Sequence, residues 1–127
     1  MITFAKENVF HLSTDNTSYI FRAMPSGHME QLYYGRKISG SEDWSFLYDK
    51  HGFGFSNGTA YSQKDKTLSL DHIALEYSTY GKGDYRLPAM QVKYEDGDFT
   101  SDFLFKKAEK TEKPKLHGLP SSYGDSE

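Results

Sequence analysis

Apolar and polar positions alternate with a period of two along the first third of the chain. Asn8, Phe10 and Leu12 fall opposite Val9 and His11, and such alternation predicts a short strand with unlike faces. Thr14-Asp15-Asn16 then reads as a turn, because Asp and Asn side chains bond nearby backbone amides. The stretch 18–24 predicts a second strand, with Tyr19 and Phe21 on one face and Ile20 and Arg22 on the other. Pro25-Ser26-Gly27 closes a tight turn, where Pro presets φ and Gly supplies a positive φ. Positions 29–34 return, so the pair forms a hairpin ended by Gly35.

The pattern is lost over 37–66, which carries Gly40, Gly52, Gly54 and Gly58 among Ser, Asp and Asn. Neither helical nor strand periodicity survives there, and so long an irregular loop usually has a function or a surface to cover. Trp44, Phe46, Phe53 and Phe55 lie inside it. Leu68, Leu70, Ile73 and Leu75 fit either a helical turn or an irregular buried strand. Tyr80-Gly81-Lys82-Gly83-Asp84 reads as a turn needing positive φ at a glycine. Beyond it, 89–94 and 99–107 flank Glu95-Asp96-Gly97, which predicts a second hairpin. After Lys110 the chain becomes rich in Pro and Gly and reads as a connector. The sum is an all-β chain with antiparallel hairpins, one modest domain or a fragment of a larger one.

Composition supports that class: aromatics make up 16% of the chain, with 10 Tyr and 9 Phe. These rings suit half-buried pleated surfaces. Net charge is −3, which argues against a nucleic-acid partner, since phosphate binding needs a basic face. The absence of cysteine excludes disulfide and thiolate chemistry and fits a reducing, cytoplasmic setting. No apolar run approaches the roughly 20 residues of a membrane span, so no membrane partner is expected. Lys6, Glu7 and Asn8 stand where a signal peptide needs apolar residues.

The candidate chemistry is sparse. His11, His28, His51, His72 and His117 show none of the short spacings of a metal site, so no metal is expected. His51-Gly52-Phe53-Gly54-Phe55 lacks the Lys-Ser/Thr ending of a phosphate loop. Carboxylates abound, but a glycosidase needs two at a fixed separation, and most here stand in turn contexts. Arg86, before Leu87-Pro88, has the character of an ion-pair partner to a nearby carboxylate that spacing does not identify.

Three ordered blocks carry a resemblance. The first is Tyr19-Ile20-Phe21-Arg22, Gly27-His28 and Gln31-Leu32-Tyr33-Tyr34-Gly35-Arg36-Lys37-Ile38. The second joins Thr67-Leu68-Ser69-Leu70-Asp71 to Leu75-Glu76-Tyr77-Ser78-Thr79-Tyr80-Gly81-Lys82-Gly83-Asp84-Tyr85-Arg86-Leu87-Pro88-Ala89. The third is Asp102-Phe103 with Lys113-Pro114-Lys115-Leu116-His117-Gly118-Leu119-Pro120-Ser121-Ser122-Tyr123-Gly124. Together they resemble the N-terminal domain of bacterial α-galactosidases (melibiases) of glycoside hydrolase family thirty-six. Only the 39–64 loop falls outside the likeness.

The resemblance implies that 1–127 is a single partial domain, an antiparallel β-sandwich forming part of a β-supersandwich, which a (β/α)₈ barrel carrying both catalytic aspartates would follow. It implies retaining hydrolysis of terminal α-1,6-galactosyl units, as in melibiose and raffinose, without a cofactor. On this reading the chain stops at Glu127 inside the sandwich, no residue inherits a catalytic role, and the piece alone is expected to be inactive. Cut strand edges would favour self-association, and a homo-oligomeric parent is expected. The resemblance also implies a loop that reaches a neighbouring subunit's sugar pocket. Asp49 and Lys66 are the candidate hydrogen-bonding contacts, with Trp44 as a stacking platform. The alternative for all three is a solvated or interface loop. For the whole chain the alternative is a free-standing carbohydrate-binding module.

Overall fold

A computed structural model describes residues 2–4, 8–39, 43–48, 59–110 and Gly118. Strands β1 (Ile2–Phe4), β2 (Val9–Ser13), β3 (Thr17–Ala23) and β4 (Met29–Arg36) form one four-stranded sheet in chain order. Every pairing is antiparallel, so the expected all-β class is what the chain adopts. The alternation also holds: Ile20 and Arg22 are buried, whereas Tyr19 and Phe21 are half-buried on the opposite face. The first expected strand is β2, and β1 adds a partner at its edge that the polar start had hidden.

The turns explain the hairpins. The Thr14 hydroxyl accepts from the Asn16 and Thr17 amides at 3.3 and 3.1 Å, so a threonine holds the turn assigned to Asp15 and Asn16. In the next turn the Gly27 amide donates to the Met24 carbonyl at 2.8 Å, with Gly27 at φ +90°. Opposite Ile20 and Phe21 the register slips, because Ile20 faces Tyr33 and Phe21 faces Gln31. Leu32 is therefore the extra residue of a bulge.

One face of the sheet supports a cluster of Val9, Ile20 and Trp44, packed by Leu32, Tyr33, Ile38, Leu47 and Tyr48. The described start of the irregular loop thus covers the sheet, as its aromatics required. Arg22 is buried here against Glu30, Nε to Oε2 2.5 Å, with its guanidinium 3.5 Å from the Tyr48 ring centroid. Along the other face the rings of Phe105, Phe10, Phe21, Tyr19 and Tyr34 follow one another at 5.0–6.0 Å.

The rest is held differently. The ambiguous stretch after Thr67 contains a 3₁₀ turn at Leu70–His72. Then 74–76 pairs with the edge of β4, through Gln31 N–H to Ala74 O and Glu76 N–H to Met29 O. Met24, Leu68 and Ile73 form a second buried cluster, flanked by Tyr61 and Leu75. The 81–84 turn has Gly81, Lys82 and Gly83 all at positive φ, and a Cβ on Gly81 would lie 2.7 Å from Thr100.

The expected second hairpin is corrected. Its turn exists, with Tyr94 and Asp98 bonded at 2.9 Å and Gly97 at φ +87°, but no ladder joins 89–94 to 99–107. Their amides are engaged elsewhere: Ala89 donates to Ser78, Ser101 to Tyr80 and Phe105 to Gly27. Bonds to neighbouring loops displace the local partner that the Asp-Gly signal favours.

Candidate functional site

Of the three residues expected to meet sugar, the two described ones, Trp44 and Lys66, have different surroundings. Trp44 is 4% exposed and belongs to the sheet cluster, with ring contacts to His11 at 5.2 Å and Phe46 at 6.0 Å. Phe46 beside it is 66% exposed, so Phe46 is the ring this segment offers to solvent. Lys66 is exposed and belongs to a different part of the molecule, next to the Met24–Leu68–Ile73 cluster. Asp49 lies outside the described residues.

Lys66 sits in a compact turn whose base is the Tyr61 amide donating to the Leu68 carbonyl at 2.8 Å. Inside the turn the Asp65 amide donates to Ser62 Oγ at 3.2 Å. Asp65 Oδ1 in turn accepts from the Thr67 amide and hydroxyl at 2.9 and 2.6 Å. Ser69 Oγ closes the next layer by donating to the Thr59 carbonyl at 3.0 Å. Short polar side chains satisfying nearby amides are what make this sequence turn here.

Below the turn lies a polar cluster that spacing in the chain does not reveal. His28 is 4% exposed, with Nδ1 3.0 Å from Ser26 Oγ and Nε2 2.9 Å from Asp102 Oδ1. The other Asp102 oxygen accepts from the Tyr61 hydroxyl at 2.7 Å. A carboxylate oxygen accepts, so Nε2 is the donor to Asp102, while Nδ1 meets the Ser26 hydroxyl. The His28 and Tyr61 rings meet edge-on, centroids 4.6 Å apart. The bond to Asp102, and then burial, push the Tyr61 phenol up to about 12. Gly27-His28 and Asp102-Phe103 belong to separate blocks of the resemblance, and 74 residues separate the bonded pair.

Several described carboxylates are held in structural bonds. The partner of Arg86 is Asp84: Arg86 Nε and Nη2 reach its two oxygens, each at 2.9 Å. Arg86 also donates to the carbonyls of Ile73 and Leu70, both at 2.7 Å. Burial works to raise the Asp84 carboxyl, but the bonds from Arg86 prevail and hold it below its usual value. Glu76 accepts from the Tyr19 hydroxyl. Burial first, and that bond next, raise the Tyr19 phenol above its ordinary range. Asp43, Asp96 and Asp98 accept from backbone amides of their own turns. Among the described residues no group of three or more His, Asp or Glu is arranged to hold a metal ion, and no helix is long and apolar enough to cross a membrane.

The family model described as the Glycosyl hydrolase family 36 N-terminal domain matches residues 27–127. The chain belongs to this family. Its relatives include the bifunctional alpha-galactosidase/sucrose kinase AgaSK of Mediterraneibacter gnavus, 38% identical over 94% of this chain and 13% of the relative. Alpha-galactosidase 1 of Pediococcus pentosaceus is 36% identical over 100% of this chain and 17% of its own length. Among solved structures, the family 36 alpha-galactosidase AgaB of Geobacillus stearothermophilus superposes with a TM-score of 0.82. It is 28% identical and is covered over 17% of its length by 98% of this chain. A raffinose complex of AgaA from the same organism gives a TM-score of 0.78 at 30% identity, covering 92% of this chain and 16% of that one. This family 36 N-terminal domain therefore spans 13–17% of the length of these relatives.

Proposed function

We propose that this domain serves a retaining α-galactosidase acting on terminal α-1,6-galactosyl units, and that its own role is assembly and completion of a neighbouring subunit's sugar pocket. The observation that carries this reading is the family match over 27–127, joined to relatives that are α-galactosidases several times longer than this chain. The 44–66 loop is the reaching element. Lys66 is its donor to sugar hydroxyls and Asp49 its acceptor. Trp44 anchors the base of the loop in the sheet cluster and aligns its ring-bearing neighbour Phe46. The parent is a homo-oligomer, because a loop can complete a foreign pocket only when subunits meet.

Asp84, Asp102, Asp43, Asp96 and Asp98, and one oxygen of Glu76, are engaged by Arg86, His28, Tyr61, turn amides and Tyr19, which supports a domain without chemistry of its own. The 127-residue chain should release no detectable chromophore from a chromogenic α-galactoside; steady turnover by purified protein would overturn this reading. A second reading, a free-standing carbohydrate-binding module, draws on exposed rings such as Tyr34 and Tyr85, 72% and 77% exposed, which sugars stack upon. Calorimetric titration with galactose, melibiose and raffinose separates the two, since saturable binding by the monomeric domain favours the module.

A further inference from the structure

The turn that presents Lys66 is not held by its own backbone alone. Tyr61 forms the base of the turn, packs its ring beside Met24, Leu68 and Ile73, and ends with its hydroxyl on Asp102. Asp102 is fastened in turn to the buried His28 of the β3–β4 hairpin. The strap carrying Asp102 is tied to that same hairpin by the Phe105 amide, 2.7 Å from the Gly27 carbonyl. Leu104 also lies against Gly27, where an added Cβ would be 3.3 Å away. Three distant segments thus converge on one carboxylate.

We propose that His28, Asp102 and Tyr61 form a clasp of positioning residues that sets the Lys66 turn against the hairpin, and so sets where Lys66 is held out to a sugar. This rests on the proposed pocket role, and it goes further by naming what aims Lys66. The clasp suits the task because each link is directional. The carboxylate gives one oxygen to each of two donors on different segments, so neither segment can shift without losing a charge-assisted bond. The edge-on ring contact fixes the angle between them as well.

Two substitutions test it in the intact polypeptide that carries this domain. Tyr61→Phe keeps the ring and its packing and removes only the bond; Asp102→Asn keeps the shape and weakens both bonds. Hydrogen exchange at the Tyr61, Asp65 and Thr67 amides should rise about tenfold or more, while exchange within β3 stays unchanged. KM for raffinose should rise with kcat unchanged, in the same direction as for Lys66→Ala. Exchange that stays the same in the turn, or rises there and in β3 together, overturns the clasp. A KM that responds to Lys66→Ala and not to Tyr61→Phe also overturns it, with the pocket reading intact. Faster turn exchange with no KM response to either Tyr61→Phe or Lys66→Ala leaves the clasp standing and overturns the pocket reading.

Discussion

The sheet formed by β1 to β4 and the stretch 59–110 share one chain but are built on different principles. In the sheet, backbone ladders run in chain order, and apolar side chains fill a face that the ladder defines. In 59–110 the regular pieces are one 3₁₀ turn and isolated bridges. Order there comes from individually placed polar groups: Arg86 gripping Asp84 and two carbonyls, and the carboxylate of Asp102 between His28 and Tyr61. A ladder spreads its stabilisation over many equivalent bonds. A clip concentrates it in one or two side chains, so conservative polar substitutions should matter more in the second region than in the first.

The largest expected effect breaks the sheet side of that contrast. Ile20 is fully buried at 0% exposure, and Ile20→Ala should lower stability by about 2–5 kcal/mol in urea denaturation. A loss well under that range would mean the ladder carries the sheet without its core. Next comes the clip side. Arg86→Met strands Asp84, whose side chain is 1% exposed, though the guanidinium itself is 39% exposed. Allowing for that screening, the loss should be roughly 2 kcal/mol, and protease cleavage should concentrate in 59–110.

Titration sharpens the comparison from both ends of the pH scale. Tyr61 has a folded value raised from 10.0 to about 12. Its contribution is complete below the unfolded value near 10 and is lost as pH rises through about 12. Tyr19 is raised as well and adds to the same alkaline loss. Tyr61→Phe should flatten the fall in stability between pH 10 and 12. Asp84 is held low by Arg86, so its contribution is present above an unfolded value near 3.8 and disappears as pH falls through its lower folded value. Arg86→Met should remove that acid dependence, and an unchanged acid limb would refute the assignment. The smallest effect belongs to the β2–β3 turn: Thr14→Ala should cost about 1 kcal/mol, seen as a small drop in Tm.

The same division decided what could be read in the sequence. The β3–β4 hairpin was legible because its signals are local: alternation in Tyr19 to Arg22, then Pro25 and Gly27 in the positions that the turn geometry demands. The glycines flanking Lys82 were legible for the same reason. Thr14 was not, because its hydroxyl performs in this turn what Asp15 and Asn16 usually do. The second hairpin misled, since its Asp-Gly turn is real while its flanks are bonded to Ser78, Tyr80 and Gly27. Of the candidate site residues, Lys66 is exposed within a turn and Trp44 is buried in the cluster that covers the sheet face; burial is a tertiary property that their spacing does not carry. His28 and Asp102 each stood in a familiar block, but nothing in a spacing of 74 residues announces that they touch.

The strand order β1-β2-β3-β4 has a consequence for the order of events in folding. A meander closes only short loops, so the sheet has low contact order and should assemble early and quickly. The clips span 41, 57 and 74 residues for Tyr61–Asp102, Tyr19–Glu76 and His28–Asp102, and closing such loops costs more chain entropy. Chain synthesis from the N-terminus releases the sheet first, as a finished surface onto which the later, slower-closing half of the domain is laid.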